Sequence, residues 1–141
     1  MAKRLPRWCC CLLFALLPCT GVADLLVVVS AEAELTRIQR QELKDLYLES
    51  RTLRQGRAVV TPIDQSERSR ERGEFYRHYI GKTPAQLRAH WARLIFTGRG
   101  QPPQTFADSQ AVVERLVRDP NALGYIDARF LDERLKVVTV E

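Results

Sequence analysis

Short apolar runs alternate along this chain with segments whose apolar residues recur at helical spacing. Leu25–Val29 is a continuous valine-rich run, too short for a helix, and indicates a strand buried on both faces. Residues 39–49 carry an apolar stripe typical of a helix, and a polar turn, Arg51–Arg57, follows. Ala58–Ile63 is β-branched again and ends at Asp64. This order of strand, helix and strand predicts the start of a βαβ unit with a right-handed crossover. The predicted buried residues of the helix are Leu43, Leu46 and Tyr47.

Two further helices are predicted in the middle of the chain. Residues 67–80 form an amphipathic pattern that ends at a glycine. The next helix should begin after Thr83, because Pro84 suits the first helical position and Gln86 completes a capping box. The glycines and prolines of 97–103 should stop it. Its predicted buried stripe consists of Leu87, Trp91, Leu94 and Ile95.

The last part of the chain continues the alternation. Asp108 or Ser109 should cap a helix that ends at Asp119–Asn121. Its inward-facing residues are predicted to be Val112, Val113, Leu116 and Val117. After it we expect a strand, a helical turn and a strand, over 123–126, 128–133 and 135–140. Strands and helices thus alternate without a repeat or linker, which predicts a single α/β domain.

The first 23 residues have the pattern of a cleavable secretory signal. Three basic residues and no acidic one precede an apolar run, Trp8–Cys19, and small residues follow up to Ala23. We expect cleavage after Ala23, which leaves a mature domain of residues 24–141 in the periplasm. The run is shorter than the roughly 20 residues of a membrane span, so no span is expected after cleavage. An uncleaved anchor and a lipoprotein acylated at Cys19 are the alternatives.

Composition narrows the chemistry of the mature domain. All four cysteines lie in the predicted signal, which excludes disulfides, thiol catalysis and thiolate zinc sites from residues 24–141. Three of the 22 basic residues also lie there, so the mature domain carries 19 basic and 17 acidic residues. A net charge of about +2 is not the footprint of a nucleic-acid-binding protein. His78 and His90 have no ligand-spaced partner, so we expect no metal and no cofactor.

Three segments, in order, resemble the phosphate-type substrate-binding proteins of ABC transporters. Residues 85–103 are the most specific of them. Residues 122–127 are similar to that family's AIGYVD strand, and residues 41–48 to its EQLRAIFL helix. The resemblance implies a type 2 periplasmic binding protein fold, in which two lobes hold the ligand between them. The mature chain has the length of about one lobe, so we expect a single three-layer domain.

The resemblance also implies a place for a ligand. In the phosphate binders a loop reading roughly R-S-D-G-S-G-T-T leads into a helix, whose N-terminus meets the anion. The matching stretch here is Gln65–Arg72, in which Ser69 keeps a hydroxyl. Arg70 stands where the pattern has glycine, and Glu71 stands where it has threonine. The candidate ligand-binding residues are Asp64, Ser66, Arg68, Ser69 and Arg70, with Asp127 as a further member of the group.

Two functions follow as hypotheses. The first is an exported solute-binding protein that takes phosphate or a related small oxyanion for an ABC transporter. The second is a periplasmic protein-interaction or sensory module that kept the fold and lost the pocket, with a periplasmic or membrane protein as partner. In the second case residues 67–72 are only a solvated turn of mixed charge. No nucleophile and base or pair of carboxylates has catalytic spacing, so we do not expect an enzyme.

Overall fold

The computed structural model describes residues 24–49 and 51–141, so the predicted signal peptide and its cleavage site lie outside the described residues. The strands are β1 (Leu25–Ser30), β2 (Arg37–Ile38), β3 (Leu53–Gln55), β4 (Ala58–Gln65), β5 (Gln104–Phe106), β6 (Ala122–Asp127), β7 (Leu135–Val137) and β8 (Thr139–Val140). The helices are α1 (Arg40–Glu49), α2 (Arg70–Phe75), α3 (Pro84–Phe96) and α4 (Ser109–Arg118). A π-helical segment, Tyr76–Ile80, continues α2, and a 3-10 turn, Ala128–Phe130, follows β6.

A mixed sheet forms the centre of the domain, with the strand order β3-β4-β6-β1-β7 and β5 paired to β4. β4 runs parallel to β6, whereas β1 runs antiparallel to both β6 and β7. The predicted βαβ unit is therefore wrong, because β6 lies between β1 and β4 and those two strands run in opposite directions. Pairing with a strand from the far end of the sequence sets the direction of β1. No local pattern carries that information.

Helices cover both faces of the sheet, which confirms the predicted α/β class with three layers. Val27 and Val29 face one hydrophobic cluster, to which α1, α2 and α3 contribute. Val28, between them, faces a second cluster, to which α4 contributes from the other side of the sheet. This alternation is the period-two pattern of a strand buried on both sides. The stripes predicted for α1 and α4 are buried, with Val117 packing at the edge of its cluster.

The helix α3 begins and ends as predicted, but its last turn is not buried. The Thr83 hydroxyl accepts from the Gln86 backbone N–H at 3.2 Å, and the Gln86 side chain accepts from the Thr83 N–H at 3.0 Å. Leu87 and Trp91 are buried, but Ile95 is 55 % exposed. The prediction that Ile95 is buried is therefore wrong, because the last turn of α3 extends beyond the core.

Other differences concern short elements. The helix predicted over 67–80 begins at residue 70 and ends in the π-helical segment, where Gly81 adopts a left-handed conformation with φ 75°. β2, β3 and β5 have two or three residues each, too few to show a periodicity. The single last strand predicted over 135–140 is two strands, since β7 joins the main sheet and β8 pairs with β2. Over the described residues, no helix has the length and apolarity needed to cross a membrane.

Candidate functional site

Asp64 lies near the carboxyl end of β4, with its side chain in the interior of the domain. The residue is only 1 % exposed. The hydroxyl of Tyr76 donates to its carboxylate at 2.8 Å, and the hydroxyl of Tyr125 donates to its other oxygen. The guanidinium of Arg72 donates to the carboxylate through Nε at 3.2 Å. A buried carboxylate is tolerated in a protein when it is paired and hydrogen-bonded in this way. We call these four residues the aspartate cluster.

Packing brings the tyrosines of the aspartate cluster to the carboxylate. The ring of Tyr125 stacks on that of Phe75 with centroids 4.0 Å apart, so β6 and α2 are held face to face. The ring of Tyr47 lies beside both, and its hydroxyl donates to the Ile63 carbonyl at 2.8 Å. Burial, together with the negative charge of Asp64, raises the pKa of Tyr47, Tyr76 and Tyr125 well above the usual value. These hydroxyls therefore stay protonated and act as donors.

Arg72 supplies the positive charge of the aspartate cluster. Its side chain is 12 % exposed, and the guanidinium lies 5.3 Å from the centre of the Tyr76 ring. Burial alone would lower the pKa of Arg72, but the carboxylate of Asp64 outweighs it and the pKa is raised. Arg72 therefore stays charged, and its contact with Asp64 joins α2 to the end of β4.

Ser69 and Gln65 form a second layer of hydrogen bonds next to the aspartate cluster. Ser69 caps α2, since its hydroxyl oxygen accepts from the Arg72 N–H at 3.2 Å. The hydroxyl proton faces two acceptors, Gln65 Oε1 at 2.7 Å and Glu71 Oε2 at 2.9 Å. Gln65 is fully buried, and its Nε2 donates to the Tyr125 carbonyl at 2.9 Å. The hydroxyl of Ser69, which matches a serine of the family loop, is thus hydrogen-bonded within the protein.

Asp127 ends β6 at the same edge of the sheet as Asp64, because β4 and β6 are parallel. Arg129 donates to its two carboxylate oxygens at 3.1 and 2.9 Å, and this pairing lowers the pKa of Asp127. The backbone N–H of Asp127 donates to the Ser109 hydroxyl at 3.1 Å, and Ser109 also lies 3.3 Å from Gln65 Nε2. Asp127 is therefore linked to the other candidates through Ser109 and Gln65.

The remaining candidates lie on the outside of the loop. The Ser66 hydroxyl accepts from the Arg68 N–H at 3.3 Å, and the Ser66 N–H donates to the Phe106 carbonyl at 2.8 Å. Arg70 forms an exposed ion pair with Glu74, with Nε and Oε1 3.0 Å apart. The structure thus joins Asp64 to Ser69 through Gln65 and leaves Ser66, Arg68 and Arg70 toward solvent.

An open groove of about 790 Å³ runs between this loop and the helix α3. Its lining includes Ser66, Arg68, Arg88, Trp91, Ile95 and Phe106. The sequence predicted Trp91 as a core residue, which its 6 % exposure confirms, so only a small part of the indole is accessible here. Across the described residues, no group of three or more histidine, cysteine, aspartate or glutamate side chains could hold a metal ion.

The sequence interpretation missed most partners of Asp64. The sequence pattern places Arg72 in a solvated turn, and it treats Tyr76 and Tyr125 only as apolar positions of a helix and a strand. A signal was present, because a tyrosine buried among apolar residues needs a partner for its hydroxyl. Asp64, at the end of a buried strand, was an acceptor within reach of such hydroxyls.

The sheet and its two helical layers have the fold of part of a periplasmic binding protein, as the sequence resemblance implied. A structure from Clostridium perfringens, assigned to the phosphate ABC transporter substrate-binding proteins and holding phosphate, has a TM-score of 0.62 and 16 % identity. The superposition covers 82 % of this chain and 44 % of that one. An ABC-type phosphate transport receptor from Vibrio cholerae has a TM-score of 0.60 and 14 % identity, over 82 % and 45 % of the two chains.

PstS from Borrelia burgdorferi gives a similar result, with a TM-score of 0.61 and 16 % identity over 83 % of this chain and 47 % of PstS. The chain thus spans less than half the length of these structures. Sequence identities of 14–16 % support a similarity of fold only. No family model matches the chain. No curated protein matches its sequence.

Proposed function

We propose that this chain is an exported periplasmic protein-interaction module that keeps a solute-binding fold and no longer carries a solute. The observation that supports the proposal is the state of the loop that would hold an oxyanion. The hydroxyl of Ser69 caps α2 and faces Gln65 and Glu71, so its bonding capacity is used within the protein. Asp64 is in the interior with four donors around it. We propose neither an enzymatic activity nor a cofactor.

Glu71 strengthens this argument, because its carboxylate is already hydrogen-bonded to the Ser69 hydroxyl in the first turn of α2. A negative charge is favourable at a helix N-terminus, and here a side chain of the protein supplies it. An incoming oxyanion would meet that charge and would have to displace the carboxylate.

The second candidate is the capture of phosphate or a related small oxyanion for an ABC transporter, through Asp64, Ser66, Arg68, Ser69 and Arg70. The observation that favours it is the groove beside the loop, which Arg68 and Arg88 line. Guanidinium groups suit the oxygens of phosphate and carboxylate. The neighbouring structures include one with bound phosphate and one described as a phosphate transport receptor.

Calorimetric titration of the mature protein with phosphate tests the proposal. We expect the native protein to show no binding tighter than about 1 mM, a dissociation constant that corresponds to only about −4 kcal/mol. The double change Arg70→Gly and Glu71→Thr moves the loop towards the family pattern and removes the Glu71 carboxylate from the Ser69 hydroxyl. If this variant gains affinity, those two side chains closed the site; if neither protein binds, the pocket is absent. Both results support the loss of solute binding.

Glu133→Thr combined with Arg134→Gly is the matched control, because it also removes one glutamate and one arginine without a change in net charge. Both residues are exposed and precede β7, at the far edge of the sheet from β4. This control separates a local effect from the general loss of two charged side chains. Micromolar phosphate binding by the native protein would contradict the proposal and favour the second candidate.

A further inference from the structure

The helix α3 is attached to the domain by a narrow face. Only Leu87 and Trp91 of its 13 residues are buried. Its last turn carries two large apolar side chains outside the core, Ile95 at 55 % and Phe96 at 92 % exposure. Exposed apolar side chains mark interaction surfaces where they belong to a larger contiguous apolar surface.

Ile95 also lines the groove described above, so the exposed turn and the groove form one surface. The groove has an apolar floor, which consists of Leu87, Trp91, Ile95, Pro102 and Phe106. We call Ile95, Phe96 and the groove the α3 surface.

Charge gives the α3 surface a preference for one kind of partner. The 33 residues from Phe75 to Ala107 contain no aspartate or glutamate and five lysine or arginine residues. Arg68 and Arg88 line the groove, and Arg93 and Arg99 lie close to Phe96 along the chain. Among the groove residues, Glu67 is acidic and lies 3.8 Å from Arg72. Complementary charge across an interface favours encounter and suppresses wrong partners.

We propose that the α3 surface docks an acidic segment of a partner protein, which places an apolar side chain in the groove and carboxylates against Arg68 and Arg88. This proposal rests on the interaction function argued above and names its surface. A second copy of the same chain is a poorer occupant, because two basic surfaces repel each other. Phenylalanine and arginine are both enriched in protein interfaces, which agrees with a protein as the occupant.

The test begins with selection of a random-peptide display library against the mature protein. We expect the selected peptides to combine an aromatic or branched apolar residue with aspartate or glutamate. Synthetic versions of them are then titrated by fluorescence polarisation. Exchanging their acidic residues for lysine should weaken binding at least about tenfold, a difference that corresponds to about 1.4 kcal/mol.

Two variants locate the binding on the protein. Ile95→Asp adds a charge to the apolar floor of the groove, and Arg88→Glu reverses the charge of a residue that lines it. Both residues are exposed, so neither change should prevent folding. Each should weaken peptide binding at least about tenfold. Arg118→Glu is the matched control, because α4 ends beside the first half of β4, at the opposite end of that strand from the groove. It should bind as the native protein does.

Four binding results would overturn the proposal, and a fifth comes from sedimentation. They are enrichment of basic or uncharged peptides, failure to enrich any peptide, binding that survives both variants, and Ile95-dependent binding to phosphatidylglycerol vesicles without peptide binding. Sedimentation that shows an Ile95-dependent dimer would likewise assign the surface to self-association. Phosphate titration is independent of all these results, so the failure of this surface and the failure of the interaction function can be told apart.

Discussion

Replacing Asp64 by asparagine tests whether the aspartate cluster is a structural element. The change keeps the size of the side chain and removes its charge. In the native protein the carboxylate accepts from Tyr76, Tyr125, Arg72 and the backbone N–H of Gln65. An amide has only one acceptor oxygen, and its NH₂ group would face donors. We therefore expect Asp64→Asn to leave at least one tyrosine hydroxyl or the guanidinium without a partner.

The magnitude follows from burial. Removing one member of a buried ion pair costs about 3–5 kcal/mol, because the remaining charge is left uncompensated. Each buried hydroxyl left without a partner costs about 1–3 kcal/mol. Arg72 keeps 12 % of its side chain exposed and can recover some hydration, so we expect a loss of about 3 kcal/mol in the free energy of unfolding. A domain of this size has about 5–15 kcal/mol in total, so the variant should still fold.

Urea denaturation of the mature protein, followed by tryptophan fluorescence and circular dichroism, measures this loss. Asp132→Asn is the matched control, since Asp132 also pairs with an arginine, Arg134, but both side chains are exposed. It should change stability little. Tyr76→Phe combined with Asp64→Asn completes a double-mutant cycle that isolates the bond between these two side chains.

A loss below about 1 kcal/mol for Asp64→Asn would refute this account, because that is the range of an exposed ion pair. Near-zero coupling between Asp64 and Tyr76 would refute it equally. Either result would mean that Asp64 is accessible and available for a ligand.

Three other outcomes are expected. The pKa values of the three buried tyrosines are raised, so the unfolded chain loses these protons at a lower pH than the folded protein does. Their contribution to the free energy of unfolding should therefore be complete below about pH 10. Above that pH it should fall by up to about 1.4 kcal/mol per pH unit for each tyrosine. A urea midpoint concentration that stays constant as the pH is raised from about 9 to about 11 would contradict this expectation. Gly124→Ala should destabilise the protein by about 1–3 kcal/mol, because the new Cβ would lie 2.9 Å from Val112 Cγ1. Gly73→Ala, in α2, should stabilise it by about 0.5–1 kcal/mol, because a Cβ there meets nothing within 4 Å. Equal melting temperatures for the two variants would be inconsistent with the packing of β6 on α4. N-terminal sequencing of the exported protein should begin at Asp24, and an intact Met1 or an acylated Cys19 would show that the predicted signal is processed otherwise.

The sequence predicted those features that depend on neighbours along the chain. The capping box of Thr83 and Gln86 was predictable, because both of its hydrogen bonds form within one turn. The buried stripes of α1 and α4 were predictable from helical spacing, and the valines of β1 from their continuity. The order of three motifs implied the fold, which the neighbouring structures confirm.

Tertiary structure decided everything that depends on which segments meet. The direction of β1 follows from its antiparallel pairing with β6, about 100 residues further along the chain. The local sequence pattern does not contain this pairing, so it could not show that the expected right-handed crossover is absent. Ile95 fits the apolar stripe of α3, yet it is exposed because the underlying domain ends before the last turn of the helix. Burial is a property of the surroundings, which periodicity alone does not contain.

The candidate site shows the same division. Its position at the end of β4, and Ser69 as the residue that kept a hydroxyl, were apparent from the sequence. That Asp64 lies between two tyrosines and an arginine, and that Ser69 faces Gln65 and Glu71, required the fold, since the tyrosines come from a helix and from a strand 61 residues away. A list of polar residues gives the groups available for binding. Only their packing shows which of them are already bound to one another.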